Sequence, residues 1–307
     1  MHSLARVVVT RFARAVLTIW IVLTVTFFLL RAGGDPVRMM LPEDASQEQI
    51  DGFREALGLD QPVPIQYARY IEHMARGDFG ESFRFRTPVL DLIMRRLPIT
   101  VLIALIAFTC IMLFGLTMGT LTALARGSRF DRATSIMFGL LQSAPAFFSG
   151  IMLILIFSVR LGWLPTSGSG SVKQLVLPAI TISLAPMAGL SRLTRSSLLE
   201  ILRSDYIRTA RSKGLSERRI WWTHALRNAS LPIATSSGLL LAGLLTGAVI
   251  VETVFAIPGL GRLSVEAVAA NDFPLVQATV LIFSLLFVGI NFIVDVSYQF
   301  LDPRLAE

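Results

Sequence analysis

Residues 99–124 read ITVLIALIAFTCIMLFGLTMGTLTAL and contain no charged side chain. A helix of that length can cross the hydrocarbon core of a bilayer, which is roughly 30 Å thick. Backbone polar groups find no water in that core, so a segment that crosses it must be helical. A helix in a soluble bundle would keep a polar face, and this stretch has none. It therefore predicts a membrane-spanning helix.

Apolar stretches of the same kind lie on both sides of it and give six predicted spans in all. The other five run from about 15 to 30, 134 to 159, 175 to 190, 231 to 254 and 274 to 296. The segment QSAP at 142–145 interrupts the third span, and Pro178 and Pro186 should disturb the fourth. Charged residues make up 16% of the chain, against about 25% of a soluble domain. The predicted fold class is thus an all-α polytopic membrane protein with six transmembrane helices.

The charged residues gather between these spans, and their sign predicts how the chain crosses the membrane. The formal net charge is +7, from 28 Lys and Arg against 21 Asp and Glu. Short cytoplasmic loops are rich in Lys and Arg, and both the turn at 126–132 and the block at 191–230 are basic. We therefore expect both segments, and both termini, in the cytoplasm. This bias accounts for the basic net charge, so nucleic-acid binding is not needed to explain it.

The same pattern divides the chain into segments. They are a cytoplasmic N-terminus with the first span at 1–30, a periplasmic loop or small cap at 31–98, a five-helix core at 99–300 that includes the cytoplasmic loop 191–230, and a cytoplasmic tail at 301–307. Within the cap, Gln47–Leu57 and Ile65–Met74 could form short amphipathic helices. The first apolar run could instead be a cleaved signal peptide. It is long for one, however, and RAGGDP at 31–36 is a poor cleavage site.

One stretch of the second basic block resembles a known family. It reads DYIRTARSKGLSERRI at 205–220, followed by HALRNA at 224–229 and Leu-Pro at 231–232. This is similar to the characteristic cytoplasmic loop of ABC-importer permeases, in which Gly stands four residues after a Glu-Ala-Ala segment. Here RTA at 208–210 occupies the three positions, and Gly214 keeps the spacing. The Glu is missing, and Arg-Thr-Ala is the form typical of the peptide-importer branch.

Further matches to that branch cover nearly the whole chain. They are GDP at 34–36, GLD at 58–60, GDFG at 77–80, RLP at 96–98, LGWLP at 161–165, VETVF at 251–255 and PGLGR at 258–262. Each is weak alone, but their order and spacing make the chain resemble a dipeptide/oligopeptide importer permease. The resemblance implies the type I, MetI-like permease fold and a place in the bacterial inner membrane.

The resemblance also implies partners. A type I importer permease pairs with a second homologous permease, as a heterodimer in this branch, and with two cytoplasmic ABC ATPase subunits. An external solute-binding protein delivers the solute, membrane lipid surrounds the spans, and nucleic acid plays no part. ATP and Mg would be bound by the ATPase subunits. Neither Lys173 nor Lys213 follows a glycine, so this chain has no phosphate-binding P-loop of its own.

Other chemistry is equally absent from the sequence. Its three histidines are too scattered for a metal site, and no nucleophile elbow is present. The single cysteine, Cys110, excludes a disulfide within the chain. We therefore expect no catalytic residue, no metal and no cofactor bound by this chain, and a transport subunit in place of an enzyme.

The loop around Gly214 can be interpreted in two ways. The resemblance implies a coupling helix that transmits closure of the ATPases to the spans, whereas the residues alone also allow a basic loop that only fixes topology. Asp205 is the expected N-cap, and Gly214 should end the helix in a left-handed conformation. Tyr206 and Ala210 are the expected exceptions to a polar surface. The candidate coupling residues are Asp205, Tyr206, Arg208, Thr209, Ala210, Lys213, Gly214, Leu215 and Ser216. Arg192 and Arg195, just before this loop, could contact the ATPase or lipid headgroups.

Polar side chains in or beside the spans are candidates for a translocation pathway or gate. The candidates are Gln142, Ser143, Ser236, Ser237, Thr246, Glu252, Asn291 and Asp295. The acidic ones could instead lie at an interface or pair with an arginine, and the others could simply form hydrogen bonds between helices.

Two other classes of membrane protein would leave different features in the sequence. A self-sufficient channel or secondary transporter should show paired charges or inverted repeats near the bilayer midplane, and a membrane-embedded hydrolase needs a catalytic constellation inside the spans. The sequence shows neither feature. The solute stays open among dipeptides, oligopeptides, glutathione, nickel chelates and opine- or sugar-like compounds, because selectivity in such systems resides largely in the binding protein.

Overall fold

The structure is a computed structural model that describes residues 2–32, 34, 37–38, 41, 45–56 and 58–301, without the side chains of 2–7, 231 and 295–301. Nearly all of the described residues are helical, which confirms the predicted all-α class. Parts of the predicted GDP motif at 34–36, the last residue of the predicted helix at 47–57, and the tail after 301 lie outside the described residues.

Within the described residues, five helices are long and apolar enough to cross a membrane. They are α1 (His2–Ala32), α4 (Val89–Leu124), α7 (Val172–Leu202), α10 (Leu226–Val254) and α12 (Phe273–Leu301). A bent pair, α5 (Arg129–Ser143) and α6 (Ala146–Arg160), passes the same test together, with 106° between its halves. These elements match the six predicted spans when the bent pair counts as one.

The remaining helices lie between the spans. They are α2 (Gln47–Ala56), α3 (Val63–Arg76), α8 (Asp205–Ser212), α9 (Glu217–Arg219) and α11 (Leu260–Ala269). A π-helical turn, Ile220–Ala225, joins α9 to α10, and a second one, Ile111–Gly115, lies inside α4. The two predicted cap helices are present as α2 and α3, whereas α11 was not predicted.

The bend between α5 and α6 has a local cause. Ala144 has an extended backbone (φ −76°, ψ 126°), which is the conformation that a following proline imposes. Pro145 then starts the second half of the pair, where its missing N–H costs nothing. The interruption predicted at 142–145 is confirmed.

Two span boundaries were predicted wrongly. The second span begins at Val89 and not at residue 99, so the segment before it ends ten residues earlier than expected and Pro98 lies inside the helix. The fourth span runs through Pro178 and Pro186 without a break and continues to Leu202. Neighbouring helices surround it, which lets a helix keep its course past a proline. Its last turns bury Ser191, Thr194, Ser197 and Leu198 and expose Arg192, so an amphipathic helix replaces the expected start of the 191–230 loop.

The centre of the bundle is an apolar cluster contributed mainly by α4, α7 and α10. Its fully buried members include Ile103, Ala107, Ile111, Leu177 and Ala248. A second cluster joins α1, the start of α4, α11 and α12. The first span is thus packed into the bundle, and aromatic contacts tie it to the cap as well: the ring of Phe27 lies against those of Tyr67 and Tyr70.

The approach of α4 to α7 is close enough to require glycine. Gly115 and Gly119 are spaced as in a GxxxG motif, which lets transmembrane helices meet at short distance. A Cβ atom on Gly119 would lie 2.6 Å from both the Ser191 carbonyl oxygen and the Thr194 Cβ. Small residues on both helices therefore fix the packing of this pair.

Candidate coupling loop and translocation face

The segment between α7 and α10, residues 203–225, is shorter than the predicted 191–230 loop. Its first part, residues 203–219, is called the 203–219 loop below and holds α8 and α9. The N-cap of α8 is Ser204, with an extended ψ of 153°, and Asp205 is the first helical residue. The prediction of Asp205 as N-cap was therefore wrong by one position. In the first turn its negative charge still complements the helix dipole.

Gly214 ends α8 as the sequence predicted. Its φ is +78°, in the left-handed region that favours glycine. The Leu215 amide donates to the Ala210 carbonyl at 3.3 Å across this turn. The chain then restarts at Ser216, the N-cap of α9. The turn brings the two short helices against each other.

One face of α8 is buried, which corrects the expectation of a nearly all-polar helix. Ile207 is fully buried and Ala210 is 9% exposed, and both pack against Ile220 at the start of the π-helical turn. Tyr206 remains 45% exposed, and its hydroxyl accepts a hydrogen bond from Asn228 Nδ2 at 3.0 Å. Gly214 reverses the chain and so brings Ile220 against the apolar face of α8. The residues of α8 alone do not reveal this partner.

The opposite face of α8 is polar and exposed. It presents Asp205, Arg208, Thr209, Arg211, Ser212 and Lys213. Arg208 pairs with Asp205 at 3.3 Å. Arg211 donates two hydrogen bonds, of 2.7 and 3.2 Å, to the Glu217 carboxylate. These bonds lower the pKa of Glu217 and raise that of Arg211, and they hold α9 against α8.

Arg195 forms an ion pair within the chain. Its Nε and Nη2 donate to the two carboxylate oxygens of Asp131 at 2.7 and 2.8 Å. The Gly127 amide donates to the same carboxylate at 3.0 Å, and the Asp131 side chain is only 6% exposed. Arg195 is therefore paired within the chain and joins α7 to the start of α5, whereas Arg192 is exposed. Asp131 was missed, although it is the one acidic residue in the basic turn.

Glu252 lies at the opposite end of α10 from this loop and is fully buried. Its carboxylate accepts hydrogen bonds from the Thr100 hydroxyl at 2.5 Å and from the Arg262 amide at 3.0 Å. The Thr100 oxygen accepts one from the Leu260 amide at 2.8 Å. Together these groups, called the Glu252 clamp below, cap the N-terminus of α11. A Cβ on Gly259 would collide with the carboxylate, so this arrangement needs glycine there.

Glu252 is buried against backbone amides and the Thr100 hydroxyl and does not face an open pathway. No arginine side chain within the described residues forms an ion pair with it. A second buried acid, Asp272, holds the segment that precedes α4 in a similar way. It accepts from the Ser82 hydroxyl at 2.5 Å and the Arg84 amide at 3.2 Å. Sequence reasoning missed Asp272, since nothing local marks its partners.

One face of α10 is exposed and mixes apolar side chains with small or hydroxyl-bearing ones. It includes Leu239, Gly243, Thr246 and Ile250, with Ser236 partly exposed. An apolar cleft of about 300 Å³ adjoins it, formed by the bend between α5 and α6 together with α7 and α10. Ser149 and Thr181 are the hydroxyl-bearing residues of its lining. The cleft is thus large enough for a small side chain or solute group.

The structure separates the predicted pathway residues into groups. Ser236 and Thr246 lie on the exposed face of α10, and Gln142 and Ser143 lie at the bend of the α5–α6 pair. Ser237 is buried and donates to the Ile233 carbonyl at 2.7 Å. Asn291 donates to the Phe287 carbonyl of its own helix at 2.8 Å, and the side chain of Asp295 lies outside the described residues. Among the described side chains, no three His, Cys, Asp or Glu come together as metal ligands.

Comparison with known proteins decides the family. The family model described as "Binding-protein-dependent transport system inner membrane component" matches residues 112–307, and the model of its N-terminal part matches residues 4–104. The chain belongs to this family. It is a membrane-spanning permease subunit of a binding-protein-dependent importer.

Similar proteins cover almost the whole permease. A putative peptide transport system permease protein of Brucella abortus is 40% identical over 306 residues, which span 97% of this chain and 98% of the relative. The glutathione transport system permease protein GsiC of Salmonella paratyphi A is 42% identical and covers 94% of each chain. GsiC of Escherichia coli K12 is 40% identical, with 97% of this chain and 98% of the relative covered.

Solved structures show the same fold at lower identity. The MetNI methionine ABC transporter in an inward-facing conformation matches 69% of this permease and 97% of its own chain, with a TM-score of 0.59 at 20% identity. An amino acid ABC transporter with histidines gives a TM-score of 0.55 at 16% identity, covering 68% of this chain and 94% of that one. The predicted MetI-like permease fold is confirmed.

Proposed function

We propose that this permease forms half of the pathway for a dipeptide, an oligopeptide or a related small solute such as glutathione. The peptide and glutathione permeases to which it is 40–42% identical support this class of solute. The other half would be a second, homologous permease. Two cytoplasmic ATPase subunits would bind ATP and Mg and hydrolyse the nucleotide, and an external protein would deliver the solute.

The observation that carries the coupling part of the proposal is the two-faced helix α8. Its polar face, with Arg208, Thr209 and Lys213, is exposed and available to an ATPase subunit. Its apolar face is held by the contact of Ile207 with Ile220. Because α7 leads into α8 and the π-helical turn leads out into α10, a push on α8 displaces the ends of two spans together.

The orientation of the permease follows from the same assignment. The 203–219 loop faces the ATPases and is therefore cytoplasmic, as its basic charge indicates. With six crossings, both termini then lie in the cytoplasm. The cap formed by α2 and α3, and the helix α11 with the Glu252 clamp, lie on the outer side, where the solute arrives.

A substitution at Ala210 tests the coupling assignment. Ala210→Trp places a large ring where the side chain is 9% exposed, and should displace α8 from Ile220. In vesicles that contain the complete importer, ATP-driven uptake should fall at least about tenfold while the ATPases stay bound. The matched control is Ala13→Trp, on the exposed surface of α1. Uptake that survives Ala210→Trp would refute the assignment.

The pathway is proposed to follow the exposed face of α10 and the cleft beside it. Most of the exposed residues of α1 are large and apolar, among them Phe12, Leu17 and Val25, as on a lipid-facing surface. The exposed face of α10 mixes apolar residues with Gly243 and Thr246, which favour contact with another helix or with water. The second permease and the solute are the proposed neighbours of this face.

Accessibility to a water-soluble thiol reagent tests this assignment. In a Cys110→Ala background, Ser236→Cys and Thr246→Cys should react in the assembled importer, and solute-loaded binding protein with ATP should change their rates. Ser237→Cys, one residue away and buried, should stay unreactive, as should Val25→Cys on the lipid-facing surface. Equal labelling at Val25 and Thr246 would contradict the proposed pathway.

A further inference from the structure

A shallow cavity of about 360 Å³ lies on the outside of the 203–219 loop, at the point where the chain turns back toward α10. It is lined by Ser216, Arg218, Arg219 and Trp222. None of its arginine or tryptophan side chains belongs to the buried face of α8. The cavity is therefore a surface distinct from the contact between Ile207 and Ile220.

Within the described residues, the two arginines of this cavity have no acidic partner, unlike two other arginines of the 203–219 loop. Arg208 and Arg211 each have an acidic partner in the loop. Arg218 and Arg219 are exposed and have no ion pair within the part of the chain that the structure describes. Two adjacent guanidinium groups thus face solvent with their full charge.

The aromatic member of the cavity places it at the membrane surface. Trp222 is 68% exposed, whereas its neighbour Trp221 packs against the cluster of Ala225 and Ala229. Both lie in the π-helical turn that leads into α10, which begins at Leu226. Tryptophan side chains concentrate at the headgroup level of membranes, so one ring packs inward and the other points to the lipid boundary.

We propose that Ser216, Arg218, Arg219 and Trp222 form a binding site for the phosphate of an anionic phospholipid of the cytoplasmic leaflet. A guanidinium group matches a phosphate with two parallel hydrogen bonds. The Ser216 hydroxyl can donate a further one, and the Trp222 ring can lie along the glycerol and upper acyl region. The site rests on the proposed cytoplasmic orientation of the loop, and it anchors the base of α10 while α8 moves against the ATPase.

The lipid is favoured over an acidic surface of the ATPase because of Trp222. A ring that is two-thirds exposed beside the start of a span suits the boundary between headgroups and acyl chains. Basic clusters directly cytoplasmic of a span attract anionic lipid by about 1 kcal/mol per residue, which is about fivefold in local enrichment. Two arginines therefore predict a clear preference for phosphatidylglycerol over phosphatidylcholine.

Fluorescence quenching by brominated lipid tests the site in the full-length permease. The Trp222 signal is the difference between the natural chain and Trp222→Phe. Brominated phosphatidylglycerol should quench it at about 25-fold lower mole fraction than brominated phosphatidylcholine, about fivefold for each arginine. Arg218→Gln and Arg219→Gln should each reduce that preference about fivefold, and the double variant should abolish it. Arg160→Gln, at the far end of α6, is the control and should leave it unchanged.

Several results would overturn the proposal. Equal quenching by the two lipids would remove the anionic preference. Loss of quenching on addition of inorganic phosphate would assign the site to a free anion, and its loss on assembly with the ATPase subunits would assign it to a protein partner. The assay needs neither ATP nor solute, so its failure is distinguishable from a failure of ATP-driven uptake, measured in parallel.

Discussion

The Glu252 clamp makes a quantitative prediction about the stability of α11. Glu252→Gln keeps the size of the side chain but leaves one acceptor oxygen for two donors, the Thr100 hydroxyl and the Arg262 amide. Hydrogen bonds to a charged group contribute about 1.5–3 kcal/mol each. The variant therefore loses about one such bond, or about 2 kcal/mol of the local stability of the α11 N-terminus.

Amide hydrogen exchange measures that loss directly. A free-energy change of about 2 kcal/mol corresponds to exchange about 30-fold faster, and it should be confined to the amides of residues 260–262. Thr100→Val removes the other side chain of the clamp and should accelerate the same amides. The double variant with Glu252→Gln should be less than additive, because both changes remove one shared network.

Glu266→Gln is the matched control on the same helix. Glu266 also faces Arg262, through an ion pair of 2.9 Å whose side chains are 37% and 29% exposed. Exposed pairs of this kind contribute at most about 1 kcal/mol, so exchange at residues 260–262 should change less than about fivefold. If Glu252→Gln changed exchange no more than Glu266→Gln does, the capping role of the buried carboxylate would be refuted.

Two further predictions concern packing within the bundle. Gly119→Ala should lower the stability of the permease by about 1–3 kcal/mol, because the added methyl meets the backbone of α7. Gly139→Ala has open space around it and should leave the stability unchanged. Thermal unfolding in detergent compares the two variants. Asp131→Asn should lower the free energy of unfolding by about 1–3 kcal/mol. This is less than the cost of breaking a fully buried ion pair, because Arg195 is 30% exposed. Adding Arg195→Gln to Asp131→Asn should lower the stability little further. A fully additive double variant would show that the two residues do not act as a pair.

The sequence predicted the spans well because absence of charge over a bilayer's width is a local property. It predicted their ends less well. Residues 191–202 carry charges, so a hydropathy argument stops before them, yet their buried positions recur with helical spacing and α7 continues to Leu202. Pro178 and Pro186 mislead for a related reason: in a packed bundle, tertiary contacts outweigh the local cost of a proline.

The functional residues show the same division between local and long-range information. Gly214 was predictable because a left-handed helix end is a property of one residue and its neighbours. Ile207 was not, because its partner Ile220 reaches it only through the turn at Gly214. Glu252 could not be separated from a pathway residue by sequence, since its donors, Thr100 and the Arg262 amide, become neighbours only when α4, α10 and α11 pack together.

The most direct test of the central claim is the amount of solute taken up per ATP hydrolysed. It is measured in vesicles with the cognate ATPases, second permease and binding protein, for Ile207→Ala against Ile21→Ala on the lipid-exposed surface of α1. Coupling through the contact of Ile207 with Ile220 predicts that Ile207→Ala keeps ATP hydrolysis but lowers uptake per ATP severalfold, while Ile21→Ala leaves the ratio unchanged. An unchanged ratio in Ile207→Ala, with the variant folded and assembled, would contradict the claim.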